Sequence, residues 1–430
     1  MPQSKRLCLI GLDGVPEGLL RGLASDGVMP RVAERIAGGH LRTMRASLPE
    51  ISSVSWSSFM TGTGPGEHGI YGFTDIEPQS YELTFPNFAD VRVPTLWDRL
   101  GSRGVTSVVV NQPATYPARS IPGVMVSGFV ALDLSRSVKP LRWLGPLRRL
   151  NYRIDIDTAR SRQDHDWLMR DLRQTLRTRR EAVMQLWDQV DWRFLQVVVT
   201  GTDRLYHYLW DAVEDVGHPR HQQALDYHHD VDTFVGDIWD RFAAEETAPE
   251  SCFWMLSDHG FCAIRQEVQL NAALKELGYL TLGAEAPTDL TSIDPTSRAF
   301  ALDPGRIYLN RTGRFGRGCV IDAEVPALKS EITDALKQLR YDGQPVVREV
   351  FDAANIYGQG PCTERGPDLV ALAIPGFDLK ASPATSEVFG RTDLVGMHTY
   401  DDAFLLAPRP IEGDLWIGDI ATHLEREYDE

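Results

Sequence analysis

Three short segments of the chain carry an aspartate at or just after the end of an apolar run. They are Asp13-Gly14, Thr200-Gly201-Thr202-Asp203 and Ser257-Asp258-His259-Gly260. Asp203 is followed four residues on by His207, a spacing that sets a carboxylate and an imidazole on one face if a helix begins there. Carboxylates gathered in a dry crevice repel one another unless they are protonated or bridged by cations. A divalent metal meets that requirement. Mixed carboxylate and imidazole donors suit zinc or manganese better than calcium, which prefers oxygen alone. Each piece has a plainer reading by itself: Asp-Gly is a common turn, Asp-x-x-x-His can be a solvated helix face, and Asp258-His259 can be a turn beside a hydrogen-bonded histidine. Three such events at three strand ends favour metal.

The elements that must position these residues are legible as apolar runs rich in β-branched residues. The runs Leu7 to Leu12, Thr106 to Val110, Phe194 to Val199 and Cys252 to Leu256 read as buried parallel strands, because helical patterns separate them. In an open α/β sheet the ligand crevice lies outside the carboxyl ends of the strands, so the three aspartate segments should converge. Asp164 to Val190 places Trp167, Leu168, Leu172, Leu176, Val183 and Leu186 at near-helical spacing, which predicts a long amphipathic helix feeding the third run. A shorter helix is expected to end within Thr95 to Gly104.

The predicted core comprises residues 1–133, 157–262 and 390–430, with Asp402 to Ile411 as a late strand. A proline- and arginine-rich insertion at 134–156 interrupts it, as does a cap at 263–389 with short strands (Arg306 to Asn310, Asp368 to Ile374) and a helix (Ala327 to Leu339).

Composition narrows the function. The 430 residues include 44 Lys+Arg against 60 Asp+Glu, giving a formal charge of −16, and 43% are hydrophobic. That is too apolar for disorder, and too acidic for a nucleic acid or a bulk anionic membrane to be the expected partner. A small anionic substrate would need local positive charge, from metal or arginine. Cys8, Cys252, Cys262, Cys319 and Cys362 are odd in number and widely spaced, so neither a disulfide framework nor a zinc ribbon is expected. No run approaches the roughly 18 apolar residues of a membrane span, and the basic start lacks a signal-peptide core. These features lead us to expect a soluble cytoplasmic protein without stable membrane insertion. Composition does not fix the oligomeric state.

Leu48 to Phe73 is hydroxyl-rich, then helical over Ser55 to Gly62, then glycine- and proline-rich around Pro65 to Gly69. A serine at a helix start beside metal ions can become a nucleophilic alkoxide, because the cations and the helix end both favour its ionised form. Equally, Ser52 or Ser53 can be a simple helix N-cap.

Taken in order, LIGLDG, SSVSWSSFMTGTGPGEHGIYGF, TGTDRLYH, SDHG and GMHTYDDAFLL resemble the alkaline phosphatase superfamily. The similarity is closest to its type I phosphodiesterase/nucleotide pyrophosphatase branch and the related phosphohydrolases and phosphomutases, a group that NQPATYP (Asn111 to Pro117) and GVMVSGF (Gly123 to Phe129) also resemble.

The resemblance implies a three-layer α/β sandwich with a mostly parallel central sheet and an inserted cap. It also implies two divalent metal ions, zinc foremost and manganese next. Ser52 would be the nucleophile. Asp13, Ser52, Asp258 and His259 would hold one metal; Asp203, His207 and, from GMHTY, His398 would hold the other. The implied activity is hydrolysis of a small phosphorylated substrate, a monoester or diester, through a phosphoseryl intermediate. A phosphotransferase or phosphomutase, a phosphonate hydrolase, and a metal-stabilised binding protein are the alternatives. Phe73 stands where nucleotide pyrophosphatases have an asparagine that helps hold a phosphate oxygen, a departure from the diesterase pattern. SSVSW lacks the cysteine of sulfatases.

His68, in PGEHGI, is expected to brace the loop beside the nucleophile, and Ser53 is the reserve nucleophile. His228 and His229 read as exposed or helix-packing residues; Arg173, Arg177, Arg179 and Arg180 read as a solvated helix face. Arg136 to Leu150 holds five basic residues and no acidic one, which suits a surface loop whose Trp143 and leucines pack on the core or, more sharply, a segment that overhangs the crevice and attracts the anionic substrate, or docks on a membrane or partner.

Overall fold

Alternation of buried β-branched strands with amphipathic helices builds one α/β sheet. The protein is described here by a computed structural model covering residues 5–245, 251–283 and 287–429. The eight strands lie in the order His40–Met44, Ala403–Ala407, Cys252–Leu256, Leu7–Leu12, Phe194–Val199, Ser107–Gln112, Gly123–Ser127 and Val138–Lys139. The five from Cys252–Leu256 to Gly123–Ser127 are mutually parallel, and the remaining three pair antiparallel.

Register explains the crevice. Leu7 pairs with Phe194 and with Cys252. Carrying both ladders forward sets Asp13 level with Thr200 and Asp258, so the three aspartate segments leave the sheet side by side.

Side chains alternate between the two faces of the sheet. Cys8, Ile10 and Leu12 enter a core shared with helices His165–Gln189, Gly201–Glu214 and His221–Ala244. Leu7 and Leu9 face the other way, toward Trp56, Phe59, Trp97 and Leu424 of helices Ser52–Thr61, Leu96–Ser102 and Asp419–Arg426. The result is the helix–sheet–helix layering that the family resemblance implies.

A second apolar cluster gathers around an antiparallel sheet ordered Ala299–Leu302, Arg306–Leu309, Leu369–Ala373 and Val347–Asp352. Helix Val325–Lys337 buries Leu328, Ile332 and Leu336 there, and Ile76 and Tyr81 join from the segment after the nucleophile region. Arg306 ties that segment down. Fully buried, it donates from Nη1 to the Thr74 carbonyl at 2.8 Å and from Nε to the Asp303 carbonyl at 2.8 Å. Gly72 leaves room for it, since an added Cβ would come within 2.7 Å of the guanidinium carbon.

Two readings change. Residues 134–156 carry regular structure in place of an aperiodic loop, with an edge strand at Val138–Lys139 and a helix at Leu144–Arg149, while Trp143 and Leu147 pack on the core as expected. Arg179 does not belong to a solvated face. It is buried and donates from Nη2 to the Ile154 carbonyl at 2.7 Å, because the insertion lies over that side of its helix. Arg173, Arg177 and Arg180 are surface residues paired with Asp230, Glu181 and Asp237.

Candidate active site

The crevice beyond the strand ends gathers two groups of side chains, Asp13 with Asp258 and His259, and Asp203 with His207 and His398; within each, one potential ligand atom per residue lies within 4.8 Å of the others. Asp13 follows the first strand, and Asp258 and His259 follow Cys252–Leu256. Asp203 and His207 lie one turn apart on helix Gly201–Glu214, and His398 sits on strand Gly396–Thr399. Stacking of the His259 and His398 rings, with centroids 3.7 Å apart, makes the groups neighbours.

Ser52 is the first residue of its helix. Ile51 occupies the N-cap and offers no side-chain acceptor, so Ser52 is not the cap, and the first N–H groups of the helix remain available to an anion. Ser52 Oγ lies 3.0 Å from His259 Nε2 and 3.4 Å from Asp13 Oδ1. Ser53, the reserve candidate, has a buried hydroxyl with no partner among the described residues.

The histidine tautomers decide what the groups can bind. Nδ1 of His207, His259 and His398 donates to the carbonyls of Gly396, Gly260 and Glu50, each at 3.0 Å. A carbonyl can only accept, so each Nδ1 carries a proton, and in the neutral ring each Nε2 presents a lone pair. The Nε2 atoms of His207 and His398 then face each other at 3.1 Å, and lie 3.3 and 3.1 Å from Asp203 Oδ1. Groups converging this closely need positive charge between them, either a bound cation or, without one, a proton on an imidazole Nε2 shared with Asp203. In the other group Asp258 Oδ2 is buried and makes no hydrogen bond among the described residues, with His259 Nε2 3.3 Å away, an arrangement that suits a shared cation. The donor sets therefore fit divalent metal.

Charge coupling follows the same geometry. Burial, with Asp203 nearby, pushes the Asp258 carboxyl up to about 8. Burial and the neighbouring Asp258 and Asp203 carry Asp13 well above the usual carboxylate range. Asp203 also feels burial, but His207, His398 and Arg204 overcome it and hold this carboxyl well below that range. Burial and the adjacent His398 ring hold His259 down to about 4.

Three supporting residues escaped sequence reasoning. Trp56 Nε1 donates to Asp13 Oδ2 at 3.0 Å, and its place one turn after Ser52 on the same helix face was a usable signal. Thr202 Oγ1 donates to the Asp13 carbonyl at 2.6 Å, and Arg204 bridges Asp203 (3.1 Å) to Asp155 (2.7 Å). No local pattern marks Arg204, since its partner Asp155 lies in the insertion.

Other candidates fall outside the cluster. His68 is buried, with Nδ1 accepting from the Ile70 N–H at 3.1 Å and Nε2 at 3.1 Å from Ser58 Oγ. His228 is buried, its Nδ1 donating to the Ala224 carbonyl at 2.7 Å; His229 is exposed. Phe73 packs edge-on against Phe129, with ring centroids 5.4 Å apart.

The pattern of the type I phosphodiesterase/nucleotide pyrophosphatase family matches residues 7–401. The chain belongs to this family. Members are phosphoester hydrolases of the alkaline phosphatase superfamily that depend on a dinuclear metal site. No curated protein matches the sequence significantly.

Among solved structures, phosphonoacetate hydrolase from Sinorhizobium meliloti 1021, in complex with phosphonoformate, is similar with a TM-score of 0.64 and 16% identity. That match covers 98% of this chain and 95% of the other. Human ectonucleotide pyrophosphatase/phosphodiesterase 5 aligns with a TM-score of 0.58 and 13% identity over 99% of this chain and 95% of its own. The murine form gives 0.57 and 14% over the same shares. At such identities the likeness establishes the fold. Among the described residues no helix is long and apolar enough to cross a membrane.

Proposed function

We propose that the protein hydrolyses small phosphate esters through a phosphoseryl intermediate on Ser52, with two divalent cations, zinc foremost, held by the two groups. The observation that carries this is the convergence of unprotonated imidazole nitrogens and buried carboxylates beside a serine at an uncapped helix start. Asp13, Ser52, Asp258 and His259 would hold one cation, and Asp203, His207 and His398 the other. When bound, the cations supply Lewis acidity that lowers the serine pKa and neutralises the phosphoryl group.

The chain's own residues do the rest. Ser52 Oγ gives its proton to solvent and attacks phosphorus in line, while the ester bond breaks and the departing oxygen takes up a proton from solvent to leave as the alcohol. The free N–H groups at the helix start face the phosphoryl oxygens. Water then cleaves the phosphoseryl bond, releasing the phosphate product and restoring the serine hydroxyl. Trp56 and Thr202 hold Asp13 at the side chain and main chain. Arg204 fixes the Asp203 oxygen that points away from the histidines. Core residues 1–133, 157–262 and 390–430 carry this chemistry in our reading, while 134–156 and 263–389 shape substrate choice.

The test pairs elemental analysis of purified protein with turnover of p-nitrophenyl phosphate, bis-p-nitrophenyl phosphate and p-nitrophenyl phenylphosphonate. Two equivalents of metal and release of p-nitrophenolate from at least one ester are expected. Metal-replete protein inert toward all three would overturn the proposal.

A further inference from the structure

Lys139, Arg142, Arg148 and Arg149 follow one another through the insertion with no carboxylate among them. Their side chains make no hydrogen bond, ion pair or ring contact with any described residue, and the three arginines are exposed. Surface arginines elsewhere in this protein find carboxylates: Arg103, Arg220 and Arg241 pair with Asp429, Asp166 and Asp188. Just upstream, Arg136 leans over the Tyr116 ring, 5.5 Å from its centroid. The acid nearest in sequence, Asp133, accepts instead from the Arg136 N–H at 3.0 Å and the Tyr116 hydroxyl at 3.0 Å.

All of these cations belong to the free edge of the eight-stranded sheet. Val138–Lys139 is its outermost strand, and a turn at Leu141–Trp143 leads from it into helix Leu144–Arg149. Trp143 and Leu147 enter the core and pin the turn and the helix, so the basic side chains project from a fixed platform. Exposed hydrocarbon flanks the strand on either side. Leu132 is 83% exposed before it and Leu141 55% exposed after it. Apolar side chains left in water beside unmatched cations mark an interaction surface.

We propose that this edge docks the protein reversibly on an anionic lipid bilayer, with Lys139 and the arginines meeting the lipid head groups while Leu132 and Leu141 enter the acyl boundary. A nucleic acid would match the charge but offer nothing to the leucines, whereas interfacial binding draws on apolar area and charge at once. The net charge of −16 selects the orientation: it repels the bilayer from the rest of the surface and leaves this edge to face it. Contact of this kind is peripheral and needs no membrane-crossing helix.

Vesicle flotation tests it. The protein should float with phosphatidylcholine vesicles enriched in phosphatidylserine and stay behind with phosphatidylcholine alone. Raising salt from about 0.1 M to about 1 M should release it, as the Debye length falls from about 10 Å to about 3 Å. Arg148→Ala combined with Arg149→Ala should weaken partitioning about 25-fold, roughly five-fold for each cation removed. Leu132→Ser combined with Leu141→Ser should weaken it too, while leaving its salt dependence intact. Arg177→Ala and Val216→Ser, at exposed positions on other elements, should change nothing. Every one of these variants should keep the wild-type Tm, since the altered side chains are exposed. Equal binding to both vesicle types, no binding to the anionic ones, or undiminished binding in either double variant overturns the proposal. So does capture of a short DNA duplex by this edge when anionic vesicles are left unbound.

Discussion

Trp56→Phe isolates one hydrogen bond at the centre of the proposed metal site. The indole N–H lies 3.0 Å from Asp13 Oδ2, and both residues are fully or nearly fully buried. A hydrogen bond to a charged group contributes about 1.5–3 kcal/mol. Lost from the bound state, that corresponds to roughly 10- to 100-fold weaker metal affinity, the range seen when partners of metal ligands are removed. Only the cation held by Asp13, Asp258 and His259 should be affected, since Asp203, His207 and His398 take nothing from Trp56. Competition with a chromophoric chelator would resolve the two affinities, and denaturant unfolding of the chelated protein would report separately on the packing cost of a smaller ring. Gly11→Ala approaches the same contact from the other side. Its new Cβ would meet Trp56 Cη2 at 2.6 Å, displacing the indole without deleting its N–H, and should weaken the same cation. Two unchanged affinities in Trp56→Phe, or an equal fall at both, would refute the idea that this tryptophan orients Asp13.

Other predictions are shorter. Ser52→Ala should abolish p-nitrophenolate release while metal content stays near two per chain; full activity in metal-replete protein would remove Ser52 as nucleophile. In metal-free protein Asp258 titrates at about 8 when folded but near 4 when unfolded, so the proton it keeps stabilises the fold most below pH 4, and that stability is lost as pH rises toward 8. His259, held down to about 4, works oppositely, losing its contribution as pH falls from about 6.5. Chelated protein should therefore unfold more readily at pH 8 than at pH 6.5, by up to about 1.4 kcal/mol per pH unit for Asp258. Metal should abolish that slope, as thermal scans with and without chelator would show. Arg306→Met removes the buried guanidinium that donates to the part-buried Thr74 and Asp303 carbonyls and should cost about 1–3 kcal/mol, with faster amide exchange around residues 72–76.

Sequence carried the core a long way because the parallel strands are buried on both faces and so appear as unbroken apolar runs. It could not place Ala403–Ala407, which pairs with residues more than a hundred positions away on one side and more than three hundred on the other. Strand partners at that separation leave no local trace. The same holds within the site. Asp13, Asp203 and Asp258 stand at strand ends that periodicity locates, whereas His398 lies on a short strand outside the main sheet and enters only through family resemblance. Arg179 shows a limit of the opposite kind: a helix pattern marks the face turned to the sheet, but not a face later covered by an insertion.

The late return of Ala403–Ala407 bears on biosynthesis. This strand, second from one edge of the sheet, fills the place between His40–Met44 and Cys252–Leu256, both of which are synthesised long before it. At translation speeds of about 5–20 residues per second, the ribosome spends several seconds on the intervening stretch while Cys252–Leu256 waits with an unpaired edge. By then Asp13, Asp258 and His259 already exist, but His398 does not. A nascent or truncated chain thus owns the donors for one cation before it can assemble those for the other. The open edge of Cys252–Leu256 is a hazard of making the enzyme rather than of running it.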